Sequence, residues 1–76
     1  MALRKMRMLC AGGDKTLAEW DTQTITQEQL DRIEAEFNSK MREGFLAADV
    51  TDGRNVLIKK FNRNVETLLI PRVQGG

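Results

Sequence analysis

Five short strand-like segments arranged around one amphipathic helix predict an α+β roll, in the order strand-strand-helix-strand-strand-strand. Three observations carry this expectation. Apolar residues alternate in the first ten positions, a capped helical pattern opens at Thr26, and the glycine pairs or Asp-Gly steps at Gly12-Gly13 and Asp52-Gly53 punctuate the runs between them. A chain of 76 residues makes one small domain. Such a domain buries only about 60–65% of the surface its unfolded form exposes, so its core is small.

The first strand is expected over residues 3–11, with Met6, Met8 and Cys10 on one face and Lys5, Arg7 and Leu9 on the other. Gly12-Gly13-Asp14-Lys15 suits a tight reversal that needs positive φ, and Thr16 to Trp20 supplies the β-branched, aliphatic and aromatic residues of a returning strand. Cys10 is expected to sit in the core as a small hydrophobe, as free cysteines usually do.

The helix is expected from Gln27 to Glu43. Thr26-Gln27-Glu28-Gln29 has the form of a capping box, in which the Thr26 hydroxyl accepts from the Gln29 backbone and the Gln29 side chain reaches back. Ile25 and Leu30 take the staple positions. Leu30, Ile33, Phe37 and Met41 recur at steps of three and four and form one apolar stripe. Glu28 and Asp31 near the start, and Lys40 and Arg42 near the end, match the helix dipole. Gly44 provides the stop.

Phe45 to Val50 alternates again, and Thr51-Asp52-Gly53-Arg54 carries a hairpin signal, so Asn55 to Phe61 is expected as the return strand. Asn62-Arg63-Asn64 reads as a further turn. Thr67-Leu68-Leu69-Ile70 has no charge on either face, which suits a central strand covered on both sides. Pro71 cannot donate to a ladder and should end that strand. The domain is therefore expected over residues 1–71, with residues 72–76 as a flexible tail.

Composition narrows the function. With no His, no Tyr and one Cys, the chain lacks the parts for a Ser-His-Asp or Cys-His unit, a Cys/His zinc site or an internal disulfide, so an enzyme is not expected. Twelve basic and eleven acidic residues leave a net charge of +1. No apolar run approaches the roughly 18–20 residues that span a bilayer. The basic N-terminal segment lacks the apolar core of a signal peptide, so the protein is expected to be cytoplasmic and unprocessed.

The sequence stops at Gly75-Gly76 directly after an apolar strand. Two glycines without Cβ atoms can enter a channel too narrow for other residues, and a carboxylate at Gly76 can be activated as an acyl-adenylate and then attacked by a thiol, amine or sulfide. This strand order, ending in Glu66-Thr67-Leu68-Leu69-Ile70-Pro71-Arg72-Val73-Gln74-Gly75-Gly76, resembles the ubiquitin-like β-grasp superfamily. Leu69 to Gly76 looks like the tails of prokaryotic sulfur carriers, while Thr67-Leu68 and Arg72 are similar to ubiquitin.

The resemblance implies a mixed sheet of four to five strands packed on one helix. It implies Gly76 as the point of activation and conjugation, with Gly75 giving access and Arg72 and Val73 available to a partner. ATP and magnesium would be used by a separate adenylating enzyme, with no cofactor bound to this chain. Further partners would be a conjugating enzyme with a deconjugating isopeptidase, or a sulfur-transfer enzyme. The carrier would be a monomer. Whether the last strand lies parallel beside the first or antiparallel beside the fourth stays open in the sequence.

Other residues have two readings. Arg72 suits an acidic contact through its planar donor fork, or is a solvated strand-end residue. Trp20 is a hot-spot anchor or, as a large apolar residue in a small domain, part of the core, which is the expectation here. Lys59, Lys60 and Arg63 would join Arg4, Lys5 and Arg7 in a basic patch if the first and fourth strands were neighbours. The balanced charge and four aromatic residues argue against nucleic acid. Asp49 and Asp52 lack the spacing of a calcium loop. A non-catalytic interaction module that binds by strand addition at a sheet edge is the alternative to the carrier.

Overall fold

A computed structural model describes residues 2–71. It contains strands β1 (Leu3–Cys10) and β2 (Gly13–Asp21), helix α1 (Gln27–Arg42), strand β3 (Leu46–Asp49), a 3₁₀ turn (Thr51–Gly53), and strands β4 (Val56–Ile58) and β5 (Thr67–Ile70). The strands form one mixed sheet in the order β2-β1-β5-β3-β4. β5 lies parallel to β1 and antiparallel to β3, which settles the pairing that chain order leaves open.

Helix α1 begins and ends where its local chemistry dictates. The Thr26 side chain accepts from the Gln29 backbone and the Gln29 side chain accepts from the Thr26 backbone, both at 3.2 Å. At the other end Gly44 adopts φ 99°, its N–H donates to Met41 O, and the Phe45 N–H donates to Lys40 O, both at 3.1 Å. These two bonds make a Schellman motif, which needs a residue with positive φ at Gly44.

Phe37 on the apolar stripe is fully buried against Met6, Trp20, Ala47 and Leu69, with Ile33 and Met41 packed around it. Burying one such side chain stabilises the fold by roughly 1.5–3 kcal/mol. Leu30, expected on the same stripe, is only half-buried and lies outside this cluster.

The β1/β2 hairpin contains a bulge between the pairs Met6↔Ala18 and Arg7↔Thr16, which leaves Leu17 as the extra residue. Leu17 and Ala18 are neighbours in sequence, yet both pack against the core. Strict alternation forbids this, and the bulge permits it. Trp20 is buried as expected, and its ring tilts against Phe61 at a centroid distance of 5.6 Å. Phe61 in turn meets Phe37 at 5.8 Å.

Three strand expectations need correction. β4 spans only Val56–Ile58, because Phe61 turns inward to the aromatic cluster and does not continue the ladder beside β3. β5 is central, but only one of its faces is covered: Thr67 and Leu69 are buried, whereas Leu68 and Ile70 stay half-buried on the face away from the helix. Cys10 is exposed, because β1 runs on past its last β5 pair, Met8↔Leu69, into an overhanging hairpin.

Candidate functional site

The strand that leads toward the glycines occupies the middle of the sheet. β5 enters after a turn in which the Asn62 side chain accepts from the Asn64 N–H at 2.9 Å. The turn is fixed to the rest of the fold from several sides. Trp20 Nε1 donates to Arg63 O at 2.8 Å, and Arg4 Nε donates to Asn64 O at 2.9 Å.

Glu66, immediately before β5, joins three elements. Its N–H donates to Thr51 Oγ1 at 2.8 Å, and its carbonyl accepts from the Val50 N–H at 2.9 Å. Its carboxylate accepts from the Lys5 N–H at 3.2 Å and lies 3.5 Å from the Arg7 guanidinium. Arg7 also pairs with Asp14 at 2.7 Å. The start of β5 is thereby tied to β1, to the hairpin and to the end of β3.

Asp49 is buried opposite Thr67 on the core-facing side of β3 and β5. The Thr51 hydroxyl and the Thr51 N–H, the latter at 2.9 Å, hold its carboxyl below the usual carboxylate range; Arg54 and Arg4 act in the same direction, and burial opposes them. Thr67 is fully buried, and among the described residues its hydroxyl oxygen has no hydrogen-bond partner.

At its far end β5 stops at Ile70, paired with Leu46 of β3, and Pro71 is exposed. Register places Leu68 and Ile70 on the same face as the exposed Leu46 of β3 and Leu57 of β4, and Ala48 shares that face but is fully buried. The open side of the sheet is consequently divided. β1 and β2 carry the ion pairs Lys5–Glu19 and Arg7–Asp14 beside the exposed Leu3 and Leu9, and β5, β3 and β4 carry apolar residues without charge. The absence of charge in β5 is read from sequence as cover on both faces, so it does not reveal this apolar half.

Gly75, Gly76, Arg72 and Val73, the residues singled out for activation and partner contact, lie outside the described residues. What the structure places is the strand that precedes them. The expected neighbourhood of the first and fourth strands is not found, since β5 and β3 separate β1 from β4 by about 14 Å, three strand spacings; of the basic residues beyond β4, Arg63 lies in the turn that Arg4 bonds at Asn64. Lys5 and Arg7 are also engaged by carboxylates. Of the two aspartates, Asp49 is occupied by Thr51 and Arg54, and Asp52 adopts φ 52°, ψ 38° in the turn. Among the described residues no group of three or more His, Cys, Asp or Glu side chains is placed to hold a metal ion.

A recess of about 470 Å³ lies between β2 and the start of α1, beside Trp20, Ile25 and Arg32, two strands away from β5. A second, about 360 Å³ and almost wholly apolar, lies where Met41 of α1 approaches β3 and β4. No described helix is long and apolar enough to cross a membrane. No family model, curated protein or solved structure matches the chain.

Proposed function

We propose that the chain is a β-grasp protein of the ubiquitin-like or sulfur-carrier kind, acting through a Gly76 carboxyl that a separate adenylating enzyme activates with ATP and magnesium. The observation that supports this reading most is the parallel pairing of β5 with β1 inside the order β2-β1-β5-β3-β4. It sets the strand leading to Gly75-Gly76 in the centre of a sheet with a helix on one face. A strand anchored in this way gives the residues after Pro71 a fixed point of departure.

The chemistry then belongs to the partner. Adenylation joins the Gly76 carboxylate to AMP with release of pyrophosphate, and a thiol, amine or sulfide next displaces AMP. Gly75 keeps the approach open, and Arg72 and Val73 are the nearest side chains for an activating enzyme to read. The apolar half of the open sheet face, with Leu68, Ile70 and Leu46, adjoins the end of β5 and offers that enzyme a surface to rest on. Transfer to a protein lysine by a conjugating enzyme, with removal by an isopeptidase, and loading with sulfur both begin from the same adenylate.

The test is expression of an N-terminally tagged chain and its Gly76→Ala variant in the native cells, followed by mass spectrometry of tagged species. Adducts formed by the parent and absent from an equally folded variant are expected. Identical adducts in both chains, or loss of folding in the variant, would contradict the proposal.

A further inference from the structure

We propose that the outer edge of β4 is a docking site for an extended, apolar segment of a partner protein that carries acidic residues on both flanks. The inference does not depend on the Gly76 carboxyl. Among the described residues β4 is the last strand of the sheet and pairs only with β3, so the outward half of its backbone N–H and C=O groups has no strand partner there. Proteins protect such an edge by keeping it short or by placing charge or proline inside it, and β4 is short but carries neither charge nor proline. Here the strand is Val56-Leu57-Ile58, and Val56 and Leu57 are 56% and 67% exposed.

Charge is placed beyond both ends of the strand. Arg54 precedes it with a side chain 65% exposed, and Lys59 and Lys60 follow it, both exposed. Among the described residues neither lysine makes an ion pair. From Val50 to Lys60 these three cations face a single exposed acid, Asp52, and Arg54 also lies 3.8 Å from the buried Asp49 carboxylate. Five residue steps separate Arg54 from Lys59, about 17 Å at strand spacing. A strand added along β4 would meet both if its own acidic residues were about five positions apart.

The apolar recess of about 360 Å³ adjoins this edge and is lined by Met41, Leu46, Ala47, Leu57, Ile58 and Lys59. Leu46 is itself 43% exposed. An added strand projects alternate side chains to one face, so one aliphatic residue of the partner can enter the recess while its backbone pairs with β4. The edge supplies hydrogen bonds, the recess supplies apolar burial, and the flanking cations set the partner's charge.

The test uses the full chain, isotope-labelled for NMR, with two capped synthetic peptides of alternating valine and isoleucine. One carries a flanking glutamate on each side about five positions apart, and the other carries lysine at the same places. Expected are amide shifts at Val56 to Lys60 and at Met41, with a Kd below about 1 mM for the glutamate peptide. The paired reversal Lys59→Glu with Lys60→Glu should weaken it at least about tenfold, and Leu57→Asp should abolish it, with the rest of the amide spectrum unchanged. Both substitutions are at exposed positions, and the spectrum itself reports the fold. Equal affinity for the lysine peptide would overturn the proposal, as would shifts on β2 or on Leu68 and Ile70. So would self-association of the free chain through β4, which would make a second copy the occupant.

Discussion

The indole nitrogen of Trp20 donates to the backbone carbonyl of Arg63 at 2.8 Å, joining the end of β2 to the turn that feeds β5. Together with the Arg4 bond to Asn64 O it holds a segment that has no ladder of its own, and Phe61, two residues earlier, packs on the same ring. Trp20→Phe keeps an aromatic ring in the core but removes the donor. It is expected to cost about 1–2 kcal/mol. Urea unfolding followed by circular dichroism, which does not depend on the single tryptophan, measures the change.

Thr67 makes the opposite prediction. Its hydroxyl is fully buried and unpartnered among the described residues, so the fold carries the cost of removing it from water with no bond in return. Thr67→Val has nearly the same shape and is expected to be neutral or to stabilise by about 1 kcal/mol. A loss of stability in thermal unfolding would mean that the hydroxyl has a partner such as an ordered water.

Asp49 gives the fold a pH dependence. Its carboxyl is held below its ordinary value of 3.8, first by the Thr51 hydroxyl and then by the Thr51 N–H. A carboxyl more acidic in the folded chain than in the unfolded one contributes stability above the unfolded pKa, and that contribution is lost as pH falls through the folded pKa. Asp49→Asn is expected to be less stable than the parent near neutral pH, and the gap should narrow below about pH 4. A gap that stays constant across the acid range would show that the Asp49 charge is immaterial.

The two ends of α1 are expected to respond independently, because Thr26 and Gly44 share no partner. Thr26→Ala removes the cap acceptor at a cost of about 1 kcal/mol. Gly44→Ala forces a Cβ into φ 99°, also at about 1–2 kcal/mol, although among the described residues nothing beyond its chain neighbours lies within 4 Å of that Cβ. Thermal unfolding of the double variant should return the sum of the two single losses.

How much of this was legible in the sequence depended on the range of the determining interactions. The limits of α1 and the Asp52-Gly53 turn, with φ 52° and 84°, follow from chemistry within four residues, and the sequence shows them. The parallel β1/β5 pairing joins residues about sixty positions apart, and nothing in the chain order selects it over a meander. The bulge at Leu17 was hidden because alternation assumes an unbroken ladder. β4 was read as too long because Phe61 looks like a strand residue, while its partners Trp20 and Phe37 come from elsewhere in the chain.

The site divides in the same way. An uncharged β5 pointed correctly to the sheet centre but not to the open face on which Leu68 and Ile70 lie, since burial on the second side depends on a layer that the described fold does not supply. Cys10 alternates with Met6 and Met8, yet the core ends before it because β5 pairs no further than Met8. The edge of β4 with its flanking cations became visible only once the strand order placed β4 last.

The carrier reading is tested most directly by intact-mass analysis of the protein purified from its native cells, with and without a reducing agent. It predicts a species ending at Gly76 whose carboxyl is altered, either by exchange of one oxygen for sulfur or by attachment to another protein through an isopeptide bond. A chain that carries only an unaltered carboxyl at Gly76, or that does not end there, under conditions where its partner enzymes are expressed, would contradict it.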